Sequence, residues 1–280
     1  MKIKFLLTLT ITTLIVFAST NDYRSDLKLG RNSDPKIIQD ISKTKLWFNK
    51  RIWEFLTIPG LRNWTYFLYP KETISYIQTD EKIVAFTIDD GFCGLDNPDG
   101  CMIDEVRLLF ERYNSKATFF TTGSHCQNAS KSEVLDLLND GHELANHGMY
   151  DTPYNNFSKK DFENDLDQTN AILKKYTNNI PSYYRAPHAK YSKIMDIVIK
   201  ERGLTHVVCD AFATDTSTPD PEWISNYIIK KTKPGSIILI HMPEKGVREW
   251  NLKAMELTLM WLKENNYKVV TLTELFNQSI

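Results

Sequence analysis

The segment KIVAFTIDDGF, Lys82 to Phe92, runs as an apolar, β-branched strand and then stops on two adjacent carboxylates and a glycine. Neighbouring side chains on a strand project to opposite faces, and neighbouring anions repel each other. Asp89 and Asp90 are therefore costly together unless they are solvated or something is gained by the pairing. An Asp-Gly turn accounts for the glycine and leaves the pairing unexplained. The alternative is a division of labour in which one carboxylate holds a cation and the other handles protons. Partners elsewhere in the chain decide between the two.

From Ile83 onward, short β-branched runs alternate with amphipathic segments. IVAFTI, ATFFTT, part of HELANH, THVVCD, SIILIH and KVVTLTEL read as strands. IDEVRLLFERYN, SEVLDLLND, KKDFENDLDQTNAILKKYT, SKIMDIVIKER and NLKAMELTLMWLKEN read as helices. This alternation predicts parallel strands with helical crossovers, an α/β domain of about 195 residues built as a barrel or an open sheet. Sites in such folds form where the strand C-terminal ends converge. Those ends carry Asp89 and Asp90, then His147, Arg185, Asp210 or Asp215, and His241.

With 280 residues, 42% of them hydrophobic, the chain can bury one large core or two modest ones, which excludes a disordered or collagen-like protein. The balance of 34 basic against 35 acidic residues provides no overall field for nucleic acid. Residues 1–20 place Lys2 and Lys4 before an apolar run from Phe5 to Ala18, followed by small residues, the pattern of a secretory signal peptide. The run is shorter than the roughly 20 residues of a spanning helix, so cleavage near Ala18 to Thr20 is favoured over a retained anchor. A secreted or cell-surface protein with no stable membrane partner is expected. Residues 21–80, rich in aromatic side chains such as Trp47, Trp53 and Trp64, read as an ordered extension packed on the main domain. Export favours disulfides, and four cysteines allow three pairings. The loop GLDNPDG can turn the chain back between Cys93 and Cys101, which favours that bridge and leaves Cys126 with Cys209 by elimination.

In chain order, TIDDG (87–91), HELANHGMYD (142–151), RAPH (185–188), CDAFATD (209–215) and SIILIHM (236–242) resemble the motifs of the polysaccharide deacetylase family. This family is also called the NodB homology domain or carbohydrate esterase family four, and the resemblance covers about residues 82–276. It implies a distorted (β/α) barrel over residues 81–280. It implies Asp89 as catalytic base and Asp90 and His147 as metal ligands, with Asp151 standing where the family carries a second histidine. Arg185 would tether the base. The backbone N–H of His188, after Pro187, would donate to an oxyanion, although Ala189 replaces the family's glycine. Either Asp210 or Asp215 would pair with His241, the general acid.

The implied cofactor is one divalent ion held by Asp90, His147 and Asp151. Three protein ligands and an open position suit hydrolytic zinc, and the second carboxylate also admits cobalt, manganese or iron. The implied activity is metal-dependent removal of N-acetyl groups from an N-acetylglucosamine polymer by a monomeric enzyme. Chitin or its oligomers come first as substrate and peptidoglycan second; an O-acetyl esterase and a non-catalytic carbohydrate binder are the rivals. Tyr150, Tyr154, Tyr184, Phe212 and Trp250 are aromatic candidates for a sugar groove. His125, His142 and His206 match no motif and read as structural.

Overall fold

Nine residues, Ile83–Gly91, form β1, and all nine are buried. A strand covered on both faces carries an unbroken apolar run, which is why IVAFTI does not alternate. Ala117–Thr121 (β2) and Ile237–His241 (β7) lie on either side of it, both parallel to β1. Beyond β2 come Glu143–Asn146 (β3), Tyr183–Tyr184 (β4) and Thr205–His206 (β5); beyond β7 lies Ala211–Phe212 (β6). Lys268–Val270 (β8) pairs with the first residues of β1. The resulting order is β5-β4-β3-β2-β1-β7-β6, parallel throughout and curled into a half-barrel. This computed structural model describes residues 43–55, 68–177 and 181–278. The expected signal segment at residues 1–20 and much of the expected extension at 21–80 lie outside the described residues.

The helices follow the sequence periodicity. Ile103–Arg112 (α2) buries Ile103, Val106, Leu109 and Phe110, one stripe at helical spacing, against the sheet. Gly123–Asn128 (α3), Lys131–Asn139 (α4), Lys159–Thr177 (α5), Lys193–Glu201 (α6), Pro221–Lys231 (α7) and Trp250–Glu264 (α8) supply the other crossovers. Two segments differ from the expected pattern. KVVTLTEL divides into β8 and a last helix, Leu272–Asn277 (α9), because Thr271 and Glu274 form a reciprocal capping box that starts a helix. PEWISNYIIKK, which shows no clean apolar stripe, is α7, begun by Asp220 accepting from Trp223 N–H and by Pro221 at the first position.

Within the described part of the extension, Lys43–Phe55 forms α1 and lies on α7. Trp53 meets Phe212 and Tyr227 edge-on at 5.5 and 6.1 Å, Tyr227 Oη donates to Trp53 O, and Lys50 pairs with Asp220. Residues 74 and 76 make isolated bridges to Val207 and Ser236. Cys93 and Cys101 are disulfide-bonded. Cys126 and Cys209 are both buried free thiols, so the pairing inferred by elimination does not form. No helix among the described residues is long and apolar enough to cross a membrane.

Candidate active site

A break in β1 brings the two aspartates together. The register against β2 shifts between Asp89 and Gly91, and Asp90 adopts φ 61°. A left-handed residue inside the strand cancels the alternation that would have sent neighbouring side chains to opposite faces, and aspartate is among the few side chains that tolerate it. As a result Asp89 Oδ2 and Asp90 Oδ1 stand 3.9 and 3.6 Å from the same atom, His147 Nε2. His125, a motif-less histidine, fixes this geometry from behind: its Nδ1 lies 3.0 Å from Asp90 O.

His147 follows β3, and its Nδ1 lies 2.8 Å from Arg185 O. A carbonyl there calls for a proton on Nδ1, which turns Nε2 toward the two carboxylates. Two carboxylate oxygens and a ring nitrogen thus face one another in a buried place, and the paired carboxylates call for positive charge.

Arg185, which follows β4, supplies one such charge. Its Nη1 donates to Asp89 Oδ1 at 2.5 Å and to Thr87 Oγ1 at 2.9 Å. Its Nε and Nη2 donate to Val207 O and Val208 O, and the guanidinium lies 4.0 Å over the Phe120 ring. With the side chain buried and every nitrogen engaged, Asp89 is held by a fixed cation.

The second charge comes from a residue outside every motif. Arg248 Nη1 donates to Asp90 Oδ2 at 2.9 Å, and Arg248 is only 4% exposed. Burial opposes its charge, but Asp90 and then Glu244 outweigh burial and hold the guanidinium above its ordinary range. Glu244 Oε1 is 3.5 Å from Arg248 Nη2, while its Oε2 accepts from Gly94 N at 3.1 Å and Asn97 Nδ2 at 3.3 Å. Glu244 therefore joins Arg248 to the loop closed by the Cys93–Cys101 bridge.

On the neighbouring strand, His241 is the register partner of Asp89. Asp215 accepts from His241 N at 2.7 Å and meets its Nδ1 at 3.0 Å. Asn251 Nδ2 donates to Asp215 Oδ2 and to His241 O, and Trp250 Nε1 donates to Asp215 O. Burial alone would lower the His241 pKa; the charge of Asp215 and its hydrogen bond outweigh burial and raise it to about 9. The imidazole is thus a cation at neutral pH, with 24% of its side chain open to solvent.

The two candidate partners of His241 are thereby distinguished. Asp215 binds it. Asp210 accepts from Ile237 N at 2.9 Å and Ser236 Oγ at 3.0 Å, at the other end of β7, about 13 Å of strand from His241. A catalytic role for Asp210 is replaced by a structural one, the capping of a strand start.

The expected metal triad is also not brought together. Asp90 and His147 converge, but Asp151 pairs with His188 Nε2 at 3.2 Å. Among the described residues no three His, Cys, Asp or Glu side chains are grouped to hold an ion. The donor set fits two positions of a divalent site and does not complete the third.

In RAPH the turn forms without the family's glycine. Pro187 is buried, and His188 and Ala189 both take φ 56°. Of the aromatic candidates, Tyr154 and Tyr184 belong to the core and Phe212 packs on Trp53. Trp250 supports Asp215, and Tyr150 is 51% exposed beside the site. His142 accepts from Ala117 N–H, its pKa lowered by burial to about 4, and His206 stacks on Tyr191, lowered by burial to about 3. Both are neutral structural groups.

Four contributors were missed in the sequence: Arg248, Glu244, Asn251 and the supporting role of His125. The only signal for the first three is the run EKGVREWN directly after the His241 motif, and a mixed charge run ordinarily marks a solvated surface.

Comparison with known proteins places this geometry in context. Residues 76–207 match the family described as polysaccharide deacetylase. The chain is 30% identical over 201 residues to a peptidoglycan-N-acetylglucosamine deacetylase of Bacillus cereus, covering 71% of this chain and 90% of that protein. It resembles the solved structure of a family 4 acetyl xylan esterase from Clostridium thermocellum bound to cobalt, with TM-score 0.61 and 29% identity, covering 70% of this chain and 91% of that one. A solved peptidoglycan N-acetylglucosamine deacetylase, 21% identical, shares the fold with TM-score 0.67 over 78% of this chain and 97% of its own.

Proposed function

Since the chain belongs to the polysaccharide deacetylase family, whose members are usually metal-dependent hydrolases of acetylated sugars, we propose that it removes N-acetyl groups from N-acetylglucosamine residues of peptidoglycan. The observation that carries this reading is the pairing of Asp89 with His241 on adjacent strands, each locked by its own oppositely charged partner. Register partners on neighbouring strands lie about 5 Å apart, so a base and an acid flank one small volume.

Arg185 holds Asp89 by Oδ1 and orients it, leaving Oδ2 to take a proton from an attacking water. An amide has a poor leaving group, and its nitrogen must be protonated as the bond breaks. His241 is suited to that step: Asp215 engages Nδ1, and the remaining ring nitrogen carries a proton up to about pH 9. Arg248 occupies Asp90 Oδ2, which leaves Asp90 Oδ1 turned toward His147 Nε2. No step is assigned to a metal ion.

Sequence motifs alone put chitin first. The Bacillus cereus relative, matched over nine-tenths of its length, supports peptidoglycan instead. The segment of residues 1–20 supports export to the place where that polymer lies. The test is release of acetate from peptidoglycan, chitin oligomers and acetylated xylan, with and without chelator and added divalent ions. Faster release from peptidoglycan is expected. Preference for xylan acetate would make the protein an esterase, and polymer binding without release from any substrate would make it a non-catalytic binder.

A further inference from the structure

The charges around the paired aspartates are already balanced by the chain itself. Asp89 has Arg185 and Asp90 has Arg248, each at hydrogen-bond distance and each buried. A divalent ion between Asp90 Oδ1 and His147 Nε2 would therefore share its carboxylate with a guanidinium on the other oxygen. An arginine cannot shed its proton to relieve that repulsion, and water screens little at such burial.

A second carboxylate stands beside the guanidinium. Glu244 lies on its far side, and Glu244 is anchored to Gly94 and Asn97 in the disulfide-closed loop. The Nε and Nη2 atoms of Arg248 are buried without a hydrogen-bond partner. A guanidinium with one strong hydrogen bond to Asp90 and little else acts through its charge rather than through a network. The third expected ligand, Asp151, is likewise engaged by a side chain of the same protein, His188.

We propose that Arg248 is a built-in competitor of the divalent cation at Asp90, holding the carboxylate in the metal's absence and weakening metal binding when an ion is supplied. This deepens the deacetylase reading, resting on it only in taking Asp90 and His147 as the ligands of that ion. Metal occupancy would then follow ion supply rather than be permanent, and the charge of residue 248 would set the affinity.

The test titrates the full metal-stripped chain with Co²⁺, followed by its visible absorption, and with Zn²⁺, followed by calorimetry. Arg248→Gln is expected to bind each ion at least ~10-fold more tightly than the parent, since one adjacent buried positive charge is removed. Arg248→Lys, which keeps the charge, should remain near the parent. Adding His147→Ala to Arg248→Gln should abolish the gain, which locates it at this site. Equal affinity within about twofold, or weaker binding by Arg248→Gln, overturns the proposal and makes Arg248 a bystander or an outer support of the ion. If Arg248→Gln does not fold, Arg248→Met decides by the same titrations: binding at least ~10-fold tighter than the parent is expected, and equal or weaker binding overturns the idea. Acetate release is measured on the same samples. A gain in affinity without any release leaves the competitor in place and overturns the deacetylase reading, whereas release without the gain does the reverse.

Discussion

Replacing Asp215 by Asn removes the charge that keeps His241 protonated while keeping the side chain's size. In the parent, Asp215 and its hydrogen bond raise the imidazole against burial from 6.5 to about 9. Without that charge the value returns to 6.5 or below. At pH 8 the protonated fraction then falls from about nine-tenths to about 3%, a loss of about 30-fold in competent acid, while at pH 6 most of it remains. The alkaline limb of kcat should therefore move at least about 2 units toward acid. The sign agrees with folding linkage. A histidine whose folded pKa lies above its unfolded one stabilises the fold fully below about 6.5, and this contribution fades as pH rises through about 9, so parent and variant melting temperatures should converge in alkali. Proton titration of the His241 ring by NMR on the full chain, beside the pH profile of acetate release, checks both. An imidazole that titrates near 6.5 in the parent, or an unmoved alkaline limb in a folded variant, would refute the reasoning.

Asp89→Asn should lower kcat by ~100-fold or more, and Asp90→Asn should weaken Co²⁺ binding more than Asp89→Asn does, as read by cobalt absorption. Asp210→Asn should leave the pH profile alone and cost about 1–2 kcal/mol in denaturant unfolding, because it loses a charged acceptor at the start of β7. Ala189→Gly should raise stability by about 1 kcal/mol, since φ 56° strains an alanine and not a glycine. Reducing Cys93–Cys101, which closes a short loop of sequence separation 8, should lower stability by about 2–3 kcal/mol, and non-reducing peptide mapping should recover that bridge with Cys126 and Cys209 as thiols.

The central strands and the amphipathic helices were legible because a twice-covered strand and a one-faced helix each leave a periodic trace of apolar residues. Strands β4 and β6, two residues each, leave none, and α7 is defined by its cap more than by its stripe. Within the site, the residues at strand ends could be found by motif order. The choice between Asp210 and Asp215 could not be made, because both follow the same strand-like run and only the three-dimensional register separates them. Arg248 was invisible for a different reason. Its role depends on a left-handed loop residue, φ 58°, folding back 158 positions in sequence onto Asp90, and nothing local in EKGVREWN encodes that contact.

The seating of α1 on α7 bears on where the chain may be cut. The segment matched to the family begins at residue 76, and a protein started there would dispense with Trp53, Lys50 and Tyr69. Trp53 covers Phe212, three residues before the aspartate that holds His241, and Lys50 pairs with the Asp220 that starts α7. Tyr69 donates to Ala189 O, in the turn that carries His188. A shortened chain would keep every motif residue yet leave two of the loops that aim them without these contacts.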